Sequence, residues 1–530
     1  MLSFDTSQQR VLGLDPARHA RVLGAPGSGK STVLVEAYAR VLERIDRSEL
    51  DRSELDRSEG EVLAIAPNRL AAAALRTAIE TRVERPLGGS PARTLASLAF
   101  SVLAAAAAVA GRPEPRLLTG TVHDEVLAAV IESRIAAAEQ PGPLVPEVLR
   151  SPVLRAELRE FRRVLDDFDL DPAALRSRLL EIRGRAEAEA RTDLPDEDRI
   201  ARWLEALDIL LEADARLARD RPNELSTSAL LREACLALRA GAAAPPKLLL
   251  VDDAQELGEG QLALLAACAG AGSSVWVFGD PDIATETFRG ERTRALAGLA
   301  EEFARTGLHV EREEVVTLET VHRHGGELRG LIHDLTARIG SVGSGAQRAA
   351  GAAVADEGET GHPIAFAEAS TPSEQIGVIA YRLRQRHLGL GSGTPLAWQR
   401  MAVICRARGE AAWIARGLAA HQVPTGVAAG GIVLREYRIV QELVRLLQHV
   451  LGIERLDAQG VLHLLSGQIG GLDPVAIRRL RGAVMLRERR EAREEGRPAR
   501  ETDELVLDAF AHPAGEPVID SRAGRALRRL

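Results

Sequence analysis

Lysine is almost missing from this chain. Of its 68 basic residues only Lys30 and Lys247 are lysine, and the remainder are arginine. With Ala and Gly also abundant, the bias reads as the imprint of a GC-rich genome, and each surviving lysine becomes a position that asks for a reason. Cysteine is scarce too. Cys235, Cys268 and Cys405 lie far apart with no C-x-x-C pair, which argues against a disulfide framework, a zinc knuckle or an iron–sulfur cluster and suits a reducing cytoplasm. Aromatic residues make up 3%, so the cores must rest on Leu, Val, Ile and Ala. No apolar run reaches the roughly 18 residues of a membrane span, and Met1–Arg10 lacks the basic-then-apolar order of a secretory signal. A net charge of −8 excludes a global basic footprint, so any nucleic-acid contact must use a local track.

What is present is an alternation of strands and helices. At roughly 100–200 residues per domain the chain has room for about three to four domains. Short apolar runs at 21–23, 61–66, 247–251 and 274–278 read as strands. Strands alternating with helices imply a parallel sheet with ligands at its carboxyl ends. The organisation expected is a first α/β lobe from residues 1–93 and 245–310, with an all-α insertion at 94–244. A second α/β lobe starts near 311, with strands near 364–368 and 401–405, and gives way to further helices at 436–530. Residues 341–361, rich in Gly, Ala and Ser, read as a flexible connection. The DRSEL repeat at 46–59 builds no apolar face, because five residues turn a helix about 140° past a full turn. It reads as a solvated loop expansion.

One segment carries chemistry plainly. Gly24-Ala25-Pro26-Gly27-Ser28-Gly29-Lys30-Ser31 matches G-x4-G-K-[ST] and is followed by Thr32 and an apolar-periodic helix. Its glycines let successive backbone N–H groups turn inward around phosphate oxygens, and the helix N-terminus adds partial positive charge. Lys30 supplies a compact point charge that a planar guanidinium replaces poorly. Ser31 offers a hydroxyl to Mg²⁺. The partner feature is Asp252, delivered at the tip of the strand 248–251 for Mg²⁺, with Asp253 placed to position or activate a water. Together they point to binding of ATP with Mg²⁺.

The series of motifs resembles superfamily 1 DNA helicases of the UvrD/Rep/PcrA type. Gln9-Arg10 resembles the family's adenine-reading glutamine motif. Residues 62–79 (with Asn68) and 92–103 (with Thr94) resemble segments that touch single-stranded DNA. VDDAQEL at 251–257 is similar to V-D-E-x-Q, and FGDPDIATETFRG at 278–290 to G-D-x-x-Q…(W/F)-R-G, in which Phe288 takes the base-stacking place beside Arg289. LETVHR at 318–323 resembles L-x-x-N-Y-R, whose arginine, here Arg323, reaches the γ-phosphate from the second lobe. Residues 401–427 resemble a strand–helix stretch of that lobe. The resemblance implies P-loop RecA-like lobes, the second incomplete, with large all-α insertions. It implies an ATP-dependent, 3′-to-5′ motor on single-stranded DNA and duplex junctions, serving repair or recombination. The VDDAQ form and the long insert further resemble actinobacterial AdnA-type helicase–nuclease subunits, which brings in a sister subunit as partner. The last helicase motifs and a nuclease domain do not appear, so the chain reads as the N-terminal part of a longer motor.

The departures are as informative. Ile283 stands where the third motif has glutamine, Asp253 where the family has glutamate, and Ala96 where T-x-H has histidine. They motivate a second reading, a degenerate and mainly structural DNA-binding subunit with weak ATPase. A P-loop kinase or transporter ATPase would lack the Arg323 motif. Three further groups are set aside as structural. Asp166, Asp167, Asp169 and Asp171 read as a solvated helix–helix turn. His322 and His324 lack a nearby carboxylate or Cys in sequence for a zinc site. Trp203, Trp276, Trp398 and Trp413 read as core.

Overall fold

The structure, a computed structural model, describes residues 3–48, 61–85, 87, 89–138, 142–189, 195–285, 294–310, 313–340, 343–353, 364–390, 394–426, 438–512 and 524–526. The chain forms two compact units, residues 1–364 and 365–530. Most of the DRSEL repeat and much of 341–361 lie outside the described residues.

The first unit is built on a parallel sheet of six strands. They are β1 (Ala20–Gly24), β2 (Val62–Ile65), β3 (Ala92–Arg93), β6 (Leu248–Val251), β7 (Ser274–Gly279) and β8 (Glu314–Leu318), ordered β3-β2-β6-β7-β1-β8. Two short ladders complete the strand set, β4 (Arg116–Leu117) on β5 (Glu224–Leu225) and β9 (Thr320–Val321) on β10 (Gly351–Ala352). The central strands are apolar on both faces because both are covered by helices. Alternate residues divide the core in two. Leu249, Val251, Val275 and Val277 face one layer; Leu248, Leu250, Trp276 and Phe278 face the other. The second layer holds α1 (Thr6–Leu12), α2 (Lys30–Ser48) and α3 (Arg69–Val83), with Val33, Leu34, Leu75 and Ile79 buried. The first includes α4 (Leu95–Val109) and the helix Thr227–Arg239. The expected insertion therefore begins and ends with helices that belong to the sheet's own cover. Its middle has a separate core around Ile131, Leu158, Ile200, Leu207 and Leu210.

Two expectations change here. The acidic cluster is not a solvated turn throughout, because Asp166 is buried. It accepts from Ser228 Oγ at 2.8 Å and pairs with Arg162 at 3.1 Å and Arg232 at 3.4 Å. A buried carboxylate is tolerated only with such partners, and this set ties the insertion to the sheet's helical cover. Asp171 does cap a helix start, accepting from Ala173 N and Ala174 N. Of the tryptophans, Trp276 is buried, but Trp203 is 41% exposed on the outside of helix Glu197–Asp220.

The regular structure described in the second unit is helical. Helices Pro372–His387 and Arg408–Ala420 pack through Ile376, Ala380, Ile414 and Leu418. Helices Ala458–Ser466, Pro474–Glu495 and Thr502–Ala511 share a core around Val461, Leu465, Leu480 and Val506. The segments expected as strands at 364–368 and 401–405 pair with no strand among the described residues. Phe366 and Ile404 stand 84% and 95% exposed. An apolar alternation without ladder partners does not make a strand. No helix among the described residues is long and apolar enough to cross a membrane.

Candidate nucleotide site and DNA-facing edge

The loop after β1 folds as its glycines require. Gly27 and Gly29 have φ of +81° and +85°, the left-handed region that residues with a Cβ avoid. A Cβ on Gly27 would come within 2.9 Å of Arg323 Cβ, and one on Gly29 within 2.8 Å of Gln8 Nε2. Ser28 is fully buried and its Oγ has no partner, as expected of a polar group in a cradle for an acceptor-rich ligand. Ala25 and Pro26 complete the loop, and Ser31 and Thr32 open α2 with exposed side chains. Lys30 is 8% exposed, and its Nζ donates to Gly24 O at 2.8 Å and Ala25 O at 3.3 Å. Burial lowers its pKa, against the pull of Asp280, Asp253 and Asp252.

The carboxylates converge on that lysine from parallel strand tips, because β7 lies next to β1 and β6 next to β7. Burial pushes Asp252 up to about 6, reinforced by Asp253, while a hydrogen bond from Ser31 and the charge on Lys30 oppose the rise. The Ser31 hydroxyl and the Asp252 carboxylate are the donor set that a Mg²⁺–phosphate pair needs. Asp253 adopts a left-handed backbone, φ +49°, and its Oδ1 accepts from Gln255 Nε2 at 3.0 Å. Gln255 is buried and its Oε1 accepts from Asp280 N at 3.1 Å, so the tips of β6 and β7 are stitched together.

Arg323 is brought to the loop by a different route from the one expected. β8, which precedes it, is the sixth strand of the same sheet and pairs with β1 along its length. Arg323 therefore belongs to the unit that carries the loop, because the chain completes this sheet before leaving it. His322 N donates to Gly27 O at 2.9 Å, and His324 Nε2 lies 3.2 Å from Pro26 O. His322 Nε2 is 2.8 Å from the Asp5 carboxylate, a pairing invisible at a separation of 317 residues. Among the described residues no group of three His, Cys, Asp or Glu could hold a metal.

Gln9 is exposed, and its neighbour Gln8 does the contacting. Gln8 is 4% exposed, and its Nε2 donates to Ser28 O at 3.1 Å. Its Oε1 accepts from Asp5 N while Asp5 caps its own N–H, a reciprocal box at the start of α1. Gln8→Ala is expected to cost about 1–2 kcal/mol of stability and to weaken nucleotide binding severalfold, whereas Gln9→Ala leaves melting unchanged. Thermal melts and titration with a fluorescent ATP analogue check this; equal effects at the two positions would refute it.

Asn68 and Thr94 sit just beyond the ends of β2 and β3, on the same carboxyl edge as the loop. Each is a helix cap. Asn68 Oδ1 accepts from Ala71 N at 2.9 Å, and Thr94 Oγ1 accepts from Ser97 N at 3.3 Å. Asn68 is exposed, and the cap uses only its Oδ1, so its amide N–H₂ is not spent on the cap. Phe288 and Arg289 lie outside the described residues.

A glycine loop opening a helix, a buried lysine and a strand-tip aspartate on the same carboxyl edge define a P-loop nucleoside triphosphatase of RecA-like α/β fold. Residues 4–304 match the family model of the UvrD/REP helicase N-terminal domain, and the chain belongs to that family of ATP-dependent DNA helicases. No curated protein matches it.

Proposed function

We propose that the chain is an ATP-dependent DNA translocase that moves 3′ to 5′ on single-stranded DNA and opens duplex junctions during repair or recombination. The convergence of Lys30, Asp252, Asp253 and Arg323 on one loop supports this most, with Asn68 and Thr94 on the same sheet edge. Lys30 would neutralise the β- and γ-phosphates, Ser31 and Asp252 would hold the metal, Asp253 would orient the attacking water and Arg323 would face the γ-phosphate. Bound Mg²⁺ would supply charge neutralisation across the phosphates. The finer reading, an AdnA-type partner of a sister helicase–nuclease subunit, rests on the VDDAQ form and the long insert.

A second reading, a structural subunit with weak ATPase, is favoured by Asp253, whose short side chain is already engaged by Gln255. ATP turnover with and without an oligothymidine strand decides between them. A translocase shows stimulation of about tenfold or more. A structural subunit binds the strand with no such stimulation.

A further inference from the structure

The third motif lacks its glutamine, yet a glutamine occupies this corner of the site from elsewhere in the chain. The one-turn helix Ala346–Ala349 packs across the ends of β1 and β8. Ala350, just beyond it, is buried against Ala25 of the phosphate loop and Val321. Gln347 in that turn is 1% exposed. Its Nε2 donates to Asp282 Oδ2 at 3.1 Å and lies 3.5 Å from Asp280 Oδ1. Ile283, the departure from the family pattern, is the very next residue after Asp282.

The turn is held firmly. Buried Arg329 donates to Ala350 O at 2.7 Å and Arg348 O at 2.6 Å, and Arg348 forks onto Asp282 at 2.5 and 2.9 Å. Two carboxylates on one side settle the orientation of the Gln347 amide, since only its N–H₂ can face them. Its Oε1 is left buried with no partner. Stranding a buried acceptor is unfavourable, a cost that packing alone does not explain.

We propose that Gln347 is the positioning residue that replaces the missing third-motif glutamine. It ties the Asp280 tip, whose charge faces Lys30 of the phosphate loop, to the Asp282 segment, and so couples nucleotide state to DNA. This rests on the translocase reading above. The carboxamide brings a donor fixed on the carboxylates and a free acceptor able to order a water or an N–H donor when the site closes. Ile283 then marks a relocated function rather than a lost one.

The test compares wild type, Gln347→Met, Ile283→Gln and the double variant in ATP turnover with and without oligothymidine. Gln347→Met is expected to lower the DNA-stimulated kcat about tenfold or more, with KM for ATP changing less than about threefold. Ile283→Gln in that background restores most of the stimulation, which a merely structural role would not allow. Ile283→Gln alone changes stimulation less than about twofold, because the task is already filled; this arm does not depend on any Gln347 variant folding. Wild-type stimulation in Gln347→Met, no rescue in the double variant, or a tenfold gain from Ile283→Gln alone each overturns the proposal. Absence of stimulation in the wild type itself overturns the translocase reading, and the proposal with it. That pattern is distinct from a stimulated wild type with an unaffected variant.

Discussion

Lys30→Arg lowers ATP turnover by roughly 10²–10³-fold, although arginine is this chain's ordinary basic residue. The reason is room and charge density. The ammonium sits in a pocket 8% exposed, against Gly24 O and Ala25 O, with Asp252, Asp253 and Asp280 opposite. Even a Cβ on Gly24 would press within 3.1 Å of Lys30 Cγ, so a broader planar group must displace the loop backbone. The fold does not depend on the charge, because burying it is unfavourable, and Lys30→Ala should melt no earlier than wild type while losing turnover as fully. Lys247→Arg is the control. Its Nζ meets Glu61 at 2.6 Å while 72% exposed, a pair worth no more than about 1 kcal/mol that a guanidinium forms as well. Turnover and melting temperature for the three variants decide the matter. Retained activity in Lys30→Arg would remove the distinction between the two lysines.

The parts of this protein legible in its sequence are those written locally. The loop, its helix and the strand tip bearing Asp252 are each specified within a few residues by glycine conformation, apolar runs and one lysine. The two core layers follow from the alternation along β6 and β7. What was not legible depends on distant chain segments. Whether 314–318 opens a second lobe or closes the first sheet is decided by its pairing with β1, and nothing within the strand carries that information. Gln8 and Gln9 are adjacent and chemically identical, and only the phase of α1 turns Gln8 onto the loop. Gln347 lies in a stretch of Gly, Ala and Ser with no motif, and its burial beside Asp282 comes from a contact 65 residues away. The buried Asp166 gave one signal that could have found it: Arg162 lies four residues earlier on the same helix, the spacing of an intrahelical pair.

Asp252→Asn should move activity and stability in opposite directions. Burial, then Asp253, raises the Asp252 carboxyl from 3.8 to about 6, so ionising it is harder in the folded chain than in the unfolded one. A raised carboxyl pKa means the folded state holds the proton more tightly. The resulting penalty is absent below the unfolded value, grows between about pH 4 and 6 and is fully present above, so it burdens the protein at neutral pH. Removing the charge relieves roughly 2–3 kcal/mol at pH 7 in the absence of Mg²⁺, and Asp252→Asn should melt several degrees higher. The same change deletes the strand-tip carboxylate expected to hold Mg²⁺, and Mg²⁺-dependent turnover should fall by roughly 10²-fold or more. In the wild type, Mg²⁺-dependent nucleotide affinity should weaken as pH falls through about 6, because protonation then competes with the metal for the same oxygen. Melts at pH 5 and pH 7.5 separate the two effects. The variant's advantage should be large at the higher pH and shrink at the lower one. An Asp252→Asn protein less stable than wild type at neutral pH would show that the carboxylate is held by attraction to Lys30 and Ser31 rather than strained by burial.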